Sequence, residues 1–271
     1  MPHGSLSEDG MHRTLTEIAK KGNLNQQMVG GRIRAELPFG LVGASGYYTS
    51  FDVPIYGASA AYNRYDFSGR STSSIGVDYK FLFGSHPAVG EVARTRNGGY
   101  GLISGIERSL SAHTDFALAY RNYQKNFQSI YGAGFGEQSG EPQNERGVYL
   151  GLRHELSSNI LLSAYFDQFV FPAPRFGTHQ PTQGYDWLGL VEVNLSEDLQ
   201  FYIQGRSEVE DDEYEIPDDF GRTRRKLGSS FRSSLRAQFE YLVNSKVRLR
   251  TRGEIVRARQ AGASSKPGYL F

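Results

Sequence analysis

The chain has 271 residues, of which 38% are hydrophobic and 22% charged, with a formal net charge of +1 and no cysteine. Its mean hydropathy is −0.48, and no run approaches the roughly 20 apolar residues of a spanning helix, so a helical membrane protein is excluded. The near-zero charge offers no argument for nucleic acid, and the missing cysteines exclude a disulfide framework and thiolate metal or redox chemistry. A β-barrel stays open, because only alternate residues of its strands face lipid.

Met1–Gly10 carries no basic stretch followed by an apolar one and no small-residue cleavage site, so it is not a secretory signal peptide. An outer-membrane protein needs one, so either the membrane reading fails or the chain is expected to be a piece of a longer precursor. Gly10–Gly22 is the one segment with a helical pattern: Leu15, Ile18 and Ala19 share a side, and Gly22 stands at the C-terminal end. Residues 1–27 are read as an N-terminal segment with this short helix, and 28–271 as a β wall.

Twelve strands are expected, at Val29–Leu37, Leu41–Phe51, Ser73–Phe83, Ala88–Thr95, Tyr100–Leu110, Phe116–Tyr123, Gly147–Glu155, Ile160–Phe169, Tyr185–Leu195, Leu199–Val209, Phe231–Val243 and Val247–Arg257. Gly268–Phe271 reads as the start of another, and its terminal phenylalanine as coincidence. From Phe231 the odd positions are Phe231, Ser233, Leu235, Ala237, Phe239, Tyr241 and Val243, with Arg232, Arg236 and Glu240 between them. From Val247 the apolar set includes Leu249 and Ile255, and the polar set is Arg248, Arg250, Arg252 and Glu254. A period of two is the strand period, and these runs exceed the usual length of about 5–6 residues.

Short turns at 38–40, 84–87, 156–159, 196–198 and 244–246 alternate with long polar or aromatic loops at 52–72, 124–146, 170–184, 210–230 and 258–267. Outer-membrane barrels alternate in this way. A three-residue turn at Asn244–Lys246 pairs Val243 with Val247 and sets Tyr241 against Leu249, Phe239 against Thr251 and Leu235 against Ile255. The same register sets Glu240 against Arg250 and Arg236 against Glu254, two opposite-charge pairs from one choice. The turn at Ser196–Asp198 sets Leu195 against Leu199, Val193 against Phe201, Asn194 against Gln200 and Glu192 against Tyr202.

Candidate lumen-facing residues are Glu192, Arg206, Glu208, Arg232, Arg236, Glu240, Arg248, Arg250, Arg252 and Glu254. The mixed signs favour a salt-bridged ladder over an anion channel, with Arg248, Arg250 and Arg252 the candidates for any selective pathway. Candidate girdle aromatics are Tyr185 and Trp187 at the loop side, and Phe201, Phe239 and Tyr241 at the turn side. The acidic stretch Glu208–Asp219 precedes Arg222, Arg224, Arg225 and Lys226, so it reads as a self-neutralising hairpin and not as a cation loop with spaced oxygens. Gly132-Ala133-Gly134-Phe135-Gly136 lacks the Lys-Ser/Thr of a phosphate loop and reads as a flexible loop. Six histidines are scattered without metal spacing; His154 shares parity with Leu150 and Leu152 and reads as interfacial. No catalytic, cofactor-binding or metal residue is expected, and no G-x-S-x-G element is present.

Several segments carry a family resemblance: His12-Arg13-Thr14 with Glu17; Tyr62–Gly69 (YNRYDFSG); Asn144–Leu152 (NERGVYLGL); and Tyr165–Phe169 (YFDQF) with Phe171-Pro172, Arg175-Phe176 and Gly184-Tyr185. Together they resemble large outer-membrane proteins of Bacteroidota-like bacteria labelled helix-hairpin-helix domain-containing. The resemblance implies export, a small N-terminal helical module and a large barrel. No second helix with its glycine hairpin is visible here, so DNA binding is not carried over.

The expectation is an all-β, antiparallel up-and-down transmembrane barrel of about twelve strands, part of a larger barrel, in a bacterial outer membrane. Its partners are outer-membrane lipid and a polar solute, with no nucleic acid and no cofactor, and its role is a pore or transport protein, not an enzyme. Two alternatives stand beside it: a structural or surface-interaction barrel with partner-binding loops, and a soluble carbohydrate-binding β protein.

Overall fold

A computed structural model describes residues 13–57, 60–84, 86–138, 142–263 and 266–270. Residues 10–12 of the expected helix, His3, His12 and Phe271 lie outside them. The described chain is all-β, with thirteen strands in one antiparallel sheet ordered as in the sequence. They are β1 (Gln26–Leu37), β2 (Gly40–Ile55), β3 (Gly69–Phe83), β4 (His86–Thr95), β5 (Tyr100–Ser111), β6 (Thr114–Tyr123), β7 (Glu145–Ser157), β8 (Ile160–Phe171), β9 (Thr182–Ser196), β10 (Leu199–Pro217), β11 (Thr223–Asn244), β12 (Val247–Arg259) and β13 (Lys266–Leu270). One helix, α1 (Leu15–Lys20), precedes them and is followed by Gly22 at φ +69°, the left-handed geometry that glycine adopts after a helix. Two compact units divide the chain: Met1–Phe81, Val89–Ile103 and Asn122–Glu145 in the first, and Leu82–Ala88, Ser104–Arg121 and Arg146–Phe271 in the second.

All twelve expected strands are present, most of them longer by a few residues. The largest extension removes an expected loop. Residues 210–230 continue β10 and β11 as a paired ribbon from Glu210↔Ser230 to Pro217↔Thr223. Acidic and basic residues at matched positions favour pairing over a loose loop; Glu215 and Arg225 meet at 3.3 Å across it. At the tip, the Asp218 carboxylate accepts from the backbone N–H of Phe220 (2.9 Å) and Arg222 (2.8 Å) and meets the guanidinium groups of Arg222 and Arg224.

Those backbone donors, Arg222's first, hold the Asp218 carboxyl below its ordinary value. A carboxyl lowered by folding stabilises the tip above its unfolded pKa, and that contribution is lost as pH falls through the lowered folded value. Amide protection factors at residues 219–224 are therefore expected to fall on acidification below the usual carboxylate range. Hydrogen exchange read on the protein and on Asp218→Asn checks this, and an equal pH response in the variant would rule it out.

The two expected hairpin registers hold away from their turns. Leu235 pairs with Ile255, Arg236 with Glu254, Phe239 with Thr251, Glu240 with Arg250 and Tyr241 with Leu249. Likewise Glu192 pairs with Tyr202, Val193 with Phe201 and Asn194 with Gln200. The pairs nearest each turn are a correction. Asn244, not Val243, opposes Val247, and Ser196, not Leu195, opposes Leu199. Each turn thus has two residues and a bulge, which absorbs the extra residue and adds local twist. Asn244 Oδ1 fixes the first turn by accepting from the backbone N–H of Lys246 (2.9 Å) and Val247 (3.0 Å).

Register and alternation give the sheet one apolar and one polar face in each unit. In the first, Ile33 is 76% exposed and Ile75 68%, and at the turn side Phe39 meets Phe81, which stacks on Tyr79 at 5.1 Å. In the second, Leu118, Leu150, Trp187, Leu235 and Ile255 are all exposed. Side chains this apolar normally leave water. Hydrophobic residues that are buried lie instead at the loop ends of their strands (Phe51, Ile55, Tyr123, Phe169, Phe171) or in the connection after β6 (Phe127).

Candidate functional site

On the polar face of the first unit the strands present small residues: Ser45 on β2, Ser74 and Gly76 on β3, Ala93 on β4 and Gly101 on β5. Such a face leaves space above it, and the connection between β6 and β7 fills part of that space. The segment 124–138 is not the loose glycine loop expected from its composition. Phe127 is 4% exposed and Ser129 7%, and Tyr131 meets Tyr47 edge-on at 5.3 Å between ring centres. The Tyr131 hydroxyl contacts Thr49 Oγ1 at 3.2 Å and the side-chain amide of Gln26.

Polar ties hold the rest of this segment. Gln128 Nε2 donates to the carbonyls of Tyr65 (2.7 Å) and Asp66 (3.1 Å), and Gln143 Nε2 to those of Tyr65 (3.0 Å) and Lys125 (2.6 Å). The Glu145 carboxylate, 2% exposed, accepts from the backbone N–H of Glu137 at 3.1 Å. The glycines serve close approach: a Cβ on Gly134 would stand 2.8 Å from the Tyr123 hydroxyl, and one on Gly136 2.8 Å from the Glu145 carboxylate. Beneath the segment lies a cavity of about 300 Å³.

The polar face of the second unit is a ladder of ion pairs. Arg121 on β6 meets Asp167 on β8 at 2.8 Å, with side chains 1% and 5% exposed. Gly147 makes room for it, since a Cβ there would collide with the Arg121 guanidinium. Arg206 holds Asp186 with two N–H donors, at 3.1 and 2.7 Å, and the Tyr165 hydroxyl donates to the same carboxylate at 2.8 Å. Tyr165 in turn stacks on Tyr149 at 5.6 Å.

Toward the turns, Arg236 pairs with Glu254 (2.9 Å), and Glu240 accepts from both Arg248 (3.1 Å) and Arg250 (2.8 Å). Arg252 donates twice to Gln238 Oε1, at 2.9 and 2.7 Å. At the loop end Arg175 meets Glu210 at 2.8 Å and lies over the Phe171 ring at 4.9 Å. Nearby, His179 bridges Glu213 (3.0 Å) and Arg225 (2.9 Å).

All ten residues assigned to the polar side share that face by strand parity, with Glu208 between Asp186 and Arg232 and Glu192 opposite Tyr202. Arg248, Arg250 and Arg252 are engaged by Glu240 and Gln238, as in the ladder reading. Of the aromatics, Tyr185 and Trp187 pair with Val209 and Ser207, while Phe201 pairs with Phe239 and Leu199 with Tyr241. The two sets thus lie at separate levels of the apolar face. His154 Nδ1 lies 2.9 Å from Thr114 Oγ1 with no acid–base partner set around it. No group of metal-ligating side chains occurs among the described residues.

Sequence reading missed Arg121, Asp167 and Asp186, the most enclosed members of the ladder, and Arg175 at its loop end. In Tyr165–Phe169 aromatic residues fall on both faces, which hides the polar parity of Asp167. Arg121 shares its strand face with Ala117 and Ala119, so a small-residue face was the one available signal. Comparison with models of protein families, with curated proteins and with solved structures found nothing that matches this chain.

Proposed function

We propose that the chain forms the wall of an outer-membrane β-barrel that passes small polar solutes. The observation that carries this reading is the continuous exposure of large apolar side chains on one face of an uninterrupted antiparallel meander. Isolated exposed apolar residues are ordinary, but contiguous patches beyond a few hundred Å² are rare on soluble monomers and mark interaction surfaces. Lipid is the partner that such a face accepts over whole strands. Strands are also one of the two backbone forms that hydrocarbon tolerates, provided every edge is closed.

On the opposite face the ion pairs satisfy one another, so solutes would meet a hydrated, nearly neutral surface and selection by charge would be weak. The resemblance to exported barrel proteins points the same way. No helix among the described residues is long and apolar enough to cross a membrane.

A second reading draws on the β10–β11 ribbon. Among the described residues, strand positions 211–217 and 223–229 pair only with each other, beyond Glu210↔Gly184 and Phe231↔Arg259. A charged ribbon extending past its neighbours suits a surface that binds a partner. Planar-bilayer recording of the refolded protein separates the readings. Stepwise, weakly ion-selective currents are expected of a pore. Membrane insertion, seen as protease protection and heat-modifiable migration, without any current would leave the surface-interaction barrel. A protein that fails to insert would overturn both.

A further inference from the structure

The cavity of the first unit holds one charged group, Glu91. Its Oε1 lies over the β3 backbone, where a Cβ on Gly76 would stand 3.4 Å away. No lysine or arginine lines the cavity, and among the described residues Glu91 makes no ion pair. Asp78, two residues beyond Gly76 on the same strand face, shows the contrast: Arg32 holds it at 2.6 Å.

The same cavity is lined by the aromatic side chains of Tyr47, Tyr123, Phe127 and Tyr131, and Glu91 itself stays exposed at its edge. Two of the hydroxyls are already engaged within the protein, Tyr123 donating to the Phe135 carbonyl at 3.0 Å and Tyr131 contacting Thr49 at 3.2 Å. Tyr123 and Tyr131 therefore offer the cavity ring surface more than hydrogen-bonding groups. Ring faces carry negative potential and attract cations, most strongly when water is excluded. A carboxylate and several rings lining one cavity are an arrangement that suits an alkylated ammonium group. A neutral sugar gains nothing from the Glu91 charge, and an anion would be repelled by it.

We propose that this cavity is a binding site for a small organic cation, a quaternary or primary ammonium head group. Its size, about 300 Å³, is at the lower end of ligand pockets and suits a single such group. The site does not depend on the wall conducting, because binding is read on the protein in detergent.

The test uses the full chain in a polyoxyethylene detergent free of amines and sugars, titrated by calorimetry with choline chloride, tetramethylammonium chloride and glucose. Saturation transfer to the N-methyl protons serves as the second readout. Both ammonium salts are expected to bind saturably and glucose not to. Glu91→Gln, which keeps the shape, is expected to weaken choline binding about tenfold or more. Ala93→Leu, which fills the cavity floor and leaves Glu91 in place, is expected to abolish it. Glucose binding as well as choline, undiminished choline binding in Glu91→Gln, or absence of choline binding to the folded parent would each overturn the proposal. Should Ala93→Leu not fold, the isosteric variant alone decides.

Discussion

Replacing Asp167 with alanine is expected to destabilise the protein by about 3–5 kcal/mol, because it takes a carboxylate partner away from a guanidinium that burial has cut off from water. The Arg121 and Asp167 side chains are 1% and 5% exposed and meet at 2.8 Å. Breaking a buried pair from one side leaves the full desolvation cost of the remaining charge. Arg121→Met should cost a comparable amount by taking the guanidinium away from the buried carboxylate. The double variant Arg121→Met/Asp167→Leu removes both charges, and its cost is expected to fall well below the sum of the two, because replacing a whole buried pair with apolar groups is often near neutral. Urea unfolding in detergent or lipid vesicles, followed by tyrosine and tryptophan fluorescence, reads all three. Additive costs would show that the two side chains act independently. The exposed pair Arg225–Glu215, 50% and 60% exposed, is the internal control and should be worth about 0–1 kcal/mol.

Leu235→Arg is the second large effect, and its sign depends on the solvent facing the sheet. Leu235 is 54% exposed and pairs with Gly205 and Ile255. It lies four residues from Phe239, about 13 Å at the rise of a strand, which is near the middle of an apolar band about 25 Å tall. A charge there costs about 2–4 kcal/mol in a bilayer. In water the same change at a half-exposed position should be nearly neutral. Ser234→Arg, on the polar face opposite Arg206, is the control for strand propensity and charge. Unfolding free energy measured for both variants in lipid vesicles is expected to drop for Leu235→Arg alone. Equal small effects at the two positions would argue that the apolar face meets water or protein.

How much of this was legible in the sequence varies along the chain for physical reasons. The β11–β12 hairpin was readable down to its cross-strand pairs, because one face alternates strictly and a one-residue slip would invert it. The bulges at Val243 and Leu195 were not, since alternation constrains the strand but not how a turn absorbs an odd residue. The stretch at 210–230 was readable as a self-neutralising hairpin but not as a continuation of β10 and β11, for a related reason. Its charges carry no inside–outside signal, and pairing between Glu215 and Arg225 appears only once the two segments are aligned. The buried pair Arg121–Asp167 joins strands β6 and β8, which are not neighbours in the sheet, and no local pattern encodes a contact across an intervening strand.

By itself the sequence determined the all-β class, the strand positions, their consecutive antiparallel order and the division into an apolar and a polar face. All of these follow from a period of two and from short connections, which are local properties. The tertiary structure alone decided which charges are enclosed, that the glycine-rich segment 124–138 packs onto small residues of β2–β5, and that a tyrosine-lined cavity with Glu91 lies beneath it. Those features depend on residues distant in the chain meeting over a face whose side chains are too small to fill it, and emptiness of that kind leaves no periodic mark.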